Sequence, residues 1–247
     1  MRKVLKWAGL TLGALLIVGI VAGVVAHQPL PKGKTGAEAD QLARKMLLAT
    51  GKEAWDSTRY VRWSFPGGHH YVWDKFREYV QVEWNGKKVL LHTPAQRGRA
   101  WEEGAELQGE AAAKRIRQAW AFFCNDSFWL NAPAKAFDPG TTRELIEAGD
   151  GKQSLLVRYS GGGVTPGDSY LWELDEQGLP VSWKMWVSVL PIGGLEASWE
   201  GWTTLETGAR LATRHKIGFL TIEATGLSGG GSLQSVGLGQ DPFLPLD

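Results

Sequence analysis

Six side chains carry types that commonly move protons, attack carbons or ligate metals: His27, His69, His70, His92, His215 and Cys124. His69 and His70 are adjacent, so in an extended strand they point to opposite faces and cannot enter one site together. One of them, joined by His92 and His215 across neighbouring strands, is the single metal set the spacing leaves open. The plainer reading is solvent-facing strand histidines, since no HExxH, paired CxxC or HxH is present. Cys124 follows Phe122 and Phe123 with no cation placed to lower its pKa, which suits a small core residue better than a nucleophile. Serine chemistry has no GxSxG elbow, and the glycine strings at 161–163 and 229–231 lack the strand and helix that would cradle a phosphate. Glu102–Glu103 and Asp175–Glu176 read as solvated strand and hairpin positions. No catalytic residue, metal site or cofactor is assigned, and a binding function is expected rather than an enzymatic one.

The residue type in excess is tryptophan, thirteen in 247 residues. Trp63, Trp73, Trp84, Trp172, Trp183, Trp186 and Trp199 fall within segments of period two, with Val61 beside Trp63, Val82 beside Trp84, Leu174 beside Trp172 and Val181 beside Trp183. Large rigid rings on one sheet face either fill a core or line a hollow for an apolar guest. Trp183 and Trp186 are three apart and therefore face opposite sides, leaving one of them for the exposed face.

These rings need an element to close against. GEAAAKRIRQAWAFFCNDSFWLN, from Gly109, places Ile116, Trp120, Phe123 and Ser127 on one stripe, with Lys114, Arg115, Arg117 and Gln118 opposite. The stretch predicts a central amphipathic helix, followed to Gly140 by a turn in which Asp126 and Ser127 cap, Pro133 and Pro139 stop the helix, and Trp129 stands on the sheet. A shorter helix is predicted over 37–50, with a capping box from Thr35 and Glu38, a stripe of Leu42, Met46 and Ala49, and a stop at Gly51. Strand-like runs joined by turn signals, Asn85-Gly86 the strongest, fill residues 59–103 and 141–226. The expected fold is α+β: one large curved antiparallel sheet, an unclosed β-barrel of about 11–12 strands, wrapped around the central helix. The expected cavity wall comprises Trp63, Trp84, Ile116, Trp120, Phe123, Trp172 and Trp183.

Composition sets the surroundings. With 27 basic and 26 acidic residues scattered along the chain, no nucleic-acid-binding stripe is present. Residues 1–6 form a basic tip with Arg2, Lys3 and Lys6, and 7–26 are uncharged, WAGLTLGALLIVGIVAGVVA, enough for a helix of about 30 Å. A transmembrane anchor is expected there, with a cleaved signal peptide ending at Ala26 as the alternative. Positive charge before the span puts the rest of the chain on the extracytoplasmic side of a bacterial inner membrane. Residues 27–36 read as a mobile linker, 37–228 as the domain, and 229–247 as a flexible tail whose last apolar residues could dock back.

Three stretches, NDSFWLNAPAKAFDPG (125–140), VTPGDSYLWELDEQGLPVSWKMW (164–186) and ASWEGWTTLETGARLATRH (197–215), together with the element order over 37–226, resemble a bacterial family of uncharacterised exported proteins with the lipoprotein-carrier (LolA/LolB-like) fold. The first stretch departs from that family in carrying Ala134 and Ala136 around Lys135, which implies a more open pocket wall. The resemblance implies an unclosed barrel holding acyl chains and brings no catalytic residues. The function expected from it is binding of a lipid, an acylated peptide or another apolar ligand. The alternatives are a sensor domain that reports envelope state to a protein partner and, last, a hydrolase or metal-dependent enzyme.

Overall fold

The central helix, α3 (Gly109–Asn131), follows α1 (Ala37–Thr50) and α2 (Lys52–Ser57) in a computed structural model that describes residues 27–149 and 151–247. The expected anchor at 7–26 lies outside the described residues, and among those described no helix is long and apolar enough to cross a membrane. Helix α1 keeps its predicted bounds and buries Ala39, Ala43, Met46 and Thr50, one stripe at helical spacing. Gly51 ends it in the left-handed region (φ 70°), where its N–H reaches the last-turn carbonyls. The expected capping box does not form: Gly36, at φ 137°, occupies the N-cap and no side chain caps the helix.

The strands are β1 (Tyr60–Phe65), β2 (His69–Asp74), β3 (Tyr79–Trp84), β4 (Lys87–His92), β5 (Arg97–Glu102) and β6 (Ala105–Glu106) before α3. A 3-10 turn (Ala132–Lys135) follows the helix and leads into β7 (Thr141–Glu147), β8 (Gln153–Tyr159), β9 (Ser169–Leu174), β10 (Pro180–Trp186) and β11 (Leu195–Ser198). The short β12 (Thr203–Thr204), β13 (Arg210–Leu211), β14 (Arg214–Ile217) and β15 (Leu220–Glu223) precede β16 (Thr225–Gly230). The chain is α+β with open antiparallel sheets about a central helix, but the single sheet expected is corrected to two. Seven strands run in the order β16–β1–β2–β3–β4–β5–β6 and five in the order β11–β10–β9–β8–β7, with β12–β13 and β14–β15 as separate ribbons. The division falls at α3. Its 23 residues are about 34 Å long, enough for each sheet to claim one half. Ile116, Ala119, Trp120 and Phe123 pack on the first sheet, while Phe128 and Trp129 pack on the second. The last strand, β16, then returns to β1 (Tyr60 opposite Gly230) instead of extending the second sheet.

Alternation fixes both cores. The cross-strand row Trp63–Tyr71–Val82–Val89–Ala100 faces α3 from the first sheet. Its counterpart in the second is Leu155–Trp172–Trp183–Ala197.

Residues 27–34 and 231–247 pack against the sheets, which corrects the mobile linker and the flexible tail, while the tail's last apolar residues dock back as expected. Over the second sheet, Lys34 bridges Leu145, Gly33 N–H donates to Glu144 (2.8 Å), Arg158 donates to the Pro31 carbonyl (2.9 Å), and Trp186 Nε1 donates to the Gln28 carbonyl (2.7 Å). Gly33 permits this approach, since a Cβ there would stand 2.4 Å from the Leu145 carbonyl oxygen. Over the first sheet, Phe243 is wholly buried against Val72 and Leu90, and Arg77 holds Asp241 (2.7 Å) and Asp247 (3.2 Å). One buried ring and four arginine contacts, the others being Arg62 to the Val236 carbonyl (3.2 Å) and Arg99 to the Pro245 carbonyl (3.2 Å), hold a segment whose glycine content alone argues for disorder.

Candidate functional site

The residues expected to line a cavity divide between the two cores. Trp63, Trp84, Ile116, Trp120 and Phe123 come together on the first sheet, and Trp172 and Trp183 belong to the second core. In the first, Trp63 stacks on Tyr71 at 4.4 Å, Phe123 stands edge-on to Trp73 at 5.0 Å, and Trp84 is edge-on to Phe122 at 5.5 Å. In the second, Trp172, Trp183 and Trp199 form a triangle with centroids 4.9–5.0 Å apart, joined by Tyr170, Phe128 and Trp129. These are the edge-to-face and tilted distances at which aromatic rings attract.

A side chain on the wall of a roomy cavity leaves surface for a water-sized sphere. Trp63, Trp172 and Trp183 leave at most 1% and Phe123 6%, so the rings are packed on one another. Ile116 and Trp120 are half-buried beside that core. A small hollow of about 10 Å³ beside Trp55, Leu130 and Ala134 has room for roughly one water. The more open wall expected from Ala134 and Ala136 is instead closed, both alanines being buried.

The titratable groups singled out by type take different places. His69 and His70 do face opposite sides. His70 Nδ1 is 2.8 Å from the Ser64 hydroxyl outside, and His69 Nδ1 is 2.7 Å from Asp126 within. Asp126 also accepts from the Tyr71 hydroxyl (2.5 Å) and from Asn125 Nδ2 (2.8 Å). Burial raises its carboxyl above the usual range, and those bonds oppose the shift only in part. Asp126 was expected to cap a turn. The helix runs on to Asn131, which places it on the buried stripe of Ala119, Phe123 and Leu130, where it ties α3 to β2.

His215, expected at the surface, is 1% exposed between Trp129 and Trp199. Its Nδ1–H donates to the Ser198 carbonyl (3.0 Å), and burial lowers its pKa to about 4. Nε2 has no partner in good hydrogen-bond geometry, although the Trp129 backbone lies close enough to favour the charged ring slightly. Burial pushes the Cys124 thiol up to about 12, the opposite of what a nucleophile requires. Among the described residues, no group of three or more His, Cys, Asp or Glu side chains is placed to hold a metal ion.

A broad depression opens on the other side of the first sheet. The outward row His70–Glu83–Lys88–Trp101 crosses β2 to β5, and its first three residues, with Gly68, the Asn85–Gly86 turn and Lys87, border a shallow concavity of about 490 Å³. Asn85 (φ 44°) and Gly86 (φ 71°) adopt the double left-handed turn their sequence predicts, which brings the two lysines to its rim. Lys88 and Arg99 lie over the Trp101 ring, their ammonium and guanidinium groups 5.7 and 5.3 Å from its centroid. Period two alone placed these residues outward, but which part of that face stays open depends on where the tail docks. Compared with protein-family models, with curated proteins and with solved structures, the chain matches none.

Proposed function

We propose that residues 37–228 are a lipoprotein-carrier-like scaffold used as a non-catalytic, membrane-tethered interaction domain of the bacterial cell envelope, facing away from the cytoplasm. The observation that carries this reading is the closure of both aromatic cores: the rings that would have gripped an acyl chain grip each other. Binding then falls to the surface, where His70, Glu83, Lys87 and Lys88 offer an imidazole, a carboxylate and two ammonium groups around a shallow depression. Such a mixture suits a folded protein partner with charges of both signs.

A photoreactive amino acid at Asn85 of the full chain in native membranes tests the proposal. The expected result is one discrete protein adduct that Lys88→Glu abolishes. Absence of any adduct from Asn85, together with a lipid that stays with the chain through purification, would return the function to ligand carriage.

A further inference from the structure

The exposed apolar side chains are not spread evenly. Among the described residues, Leu48, Phe76, Val181 and Leu244 are exposed singly, whereas Val164 (47% exposed), Val189 (71%), Leu190 (39%), Phe219 (95%) and Leu220 (57%), the last at the start of β15, gather in or beside the connections at one end of the five-stranded sheet. Register places them there. Arg158 pairs with Ser169, Ser169 with Trp186, and Met185 with Leu195, so the turns 160–168 and 187–194 leave the sheet side by side. The Ser188 N–H donates to Asp168 (3.0 Å) and ties the two together. Strand β14 runs back along β11 in the antiparallel sense, with Arg214 opposite Glu200 and the Lys216 N–H on the Ser198 hydroxyl (2.9 Å). The β14–β15 tip, Gly218–Phe219, therefore lies toward Leu195, at the same end.

The amino-terminal segment joins the domain at that point. The Gln28 N–H donates to the Gly193 carbonyl (2.9 Å), and the Gly193 N–H donates to His27 Nδ1 (3.0 Å). The uncharged run of the sequence stops at Ala26, one residue earlier. Two residues of extended chain reach at most about 7 Å. With no free linker between them, a run that spans a bilayer must bring this end of the sheet to the lipid headgroups.

We infer that the end of the five-stranded sheet formed by turns 160–168 and 187–194 and the 217–220 hairpin tip is a bilayer-contact face, with Val189, Leu190 and Phe219 entering the headgroup and upper acyl region. The inference rests on the reading of residues 7–26 as a membrane span. It adds a fixed orientation: the second sheet stands end-on to the membrane, and α1 carries Leu48 away from it. Leu48 is 83% exposed and one turn beyond Lys45, which packs on Gly178 in the β9–β10 turn at the far end of the sheet. It is thus an apolar, exposed control that the face excludes.

The test uses the full chain with Val189→Cys, Phe219→Cys or Leu48→Cys, each labelled with nitrobenzoxadiazole and reconstituted in vesicles of phosphatidylcholine and phosphatidylglycerol. All three positions are exposed, so no core packing is lost. The unmodified chain, with its half-buried Cys124, is the labelling blank. Flotation reports anchoring, and quenching by spin-labelled lipid against aqueous iodide reports depth. The expected result is flotation of every variant, with labels at 189 and 219 blue-shifted and quenched several-fold more by lipid than by iodide, and the reverse at 48. Flotation with 189 and 219 as water-exposed as 48 overturns the contact face alone. A chain that does not float overturns the span and the face together.

Discussion

His215 sits in the second core as a neutral ring, and acid should find it. Burial lowers its pKa from 6.5 to about 4, so the folded state resists a proton that the unfolded chain accepts. The sign follows from linkage. Between pH 6.5 and 4 the unfolded state holds more protons, so the stability this group supports is full above pH 6.5 and is lost as pH falls toward 4. A shift of this size is worth roughly 3 kcal/mol, of which most is gone by about pH 4.5. Carboxylates titrate in the same range, so the measurement has to be a difference. His215→Asn keeps a donor where Nδ1 meets the Ser198 carbonyl but cannot titrate. It should cost about 2 kcal/mol at pH 7 through lost contact with Trp129 and Trp199, a penalty that the avoided protonation offsets as pH falls toward 4.5. Unfolding of the full chain in micelles, followed by near-ultraviolet circular dichroism at pH 7 and pH 4.5, should show the wild type losing about 2–3 kcal/mol more than the variant. Parallel losses would mean that the ring is hydrated in the folded state, and the description of the second core would be mistaken.

Four further substitutions separate the parts of the fold. Trp183→Ala removes a ring that is 1% exposed and should cost about 3–5 kcal/mol, whereas Trp129→Ala, half-buried, should cost about 2 kcal/mol; equal melting shifts would contradict the packing order. Phe243→Ala should free the tail without unfolding the sheets, seen as new protease cleavage between 231 and 242 with the near-ultraviolet spectrum retained. Protection equal to wild type would show that Arg77, Arg62 and Arg99 suffice to hold it. Asp74 has no exposed side-chain surface and accepts from Arg59 (3.1 Å) and Arg77 (2.7 Å); burial pushes its carboxyl up, but both guanidiniums outweigh that and keep it below the usual range. Asp74→Ala leaves Arg59 without its carboxylate and Arg77 with only Asp241 and Asp247 of the tail, and should cost about 3 kcal/mol, read from the urea midpoint at pH 7; an unchanged midpoint would refute the pairing.

Periodicity carried much of this fold. Alternation in RYVRWSF and REYVQVEW put Trp63 and Val82 on the face that meets α3, and the Asn85-Gly86 and Gly51 signals marked a hairpin and a helix end where the structure has them. Period two says which way a side chain points, not how far the opposing layer stands from it. That distance decides between a hollow and a core, and it escaped the sequence because it depends on the 23-residue helix serving two sheets. The docked ends escaped for a related reason. Glycine and proline content describes the local chain, while Gly33 and Phe243 are held by Glu144, Leu90 and Val72, far away in sequence. Asp126 was visible at the spacing of Ala119 and Phe123, but a carboxylate on a buried stripe reads as a helix end until Tyr71 and His69 are seen to satisfy it.

Whether the aromatic cores are filled is the question on which the functional reading turns. Native mass spectrometry of the full chain, released from detergent after incubation with a fatty acid or a lysophospholipid, addresses it directly, with the melting midpoint measured in parallel. Closed cores predict the bare chain mass and an unmoved midpoint. A persistent one-to-one lipid adduct with a raised midpoint would contradict the account and show that the tryptophan cores open to a ligand.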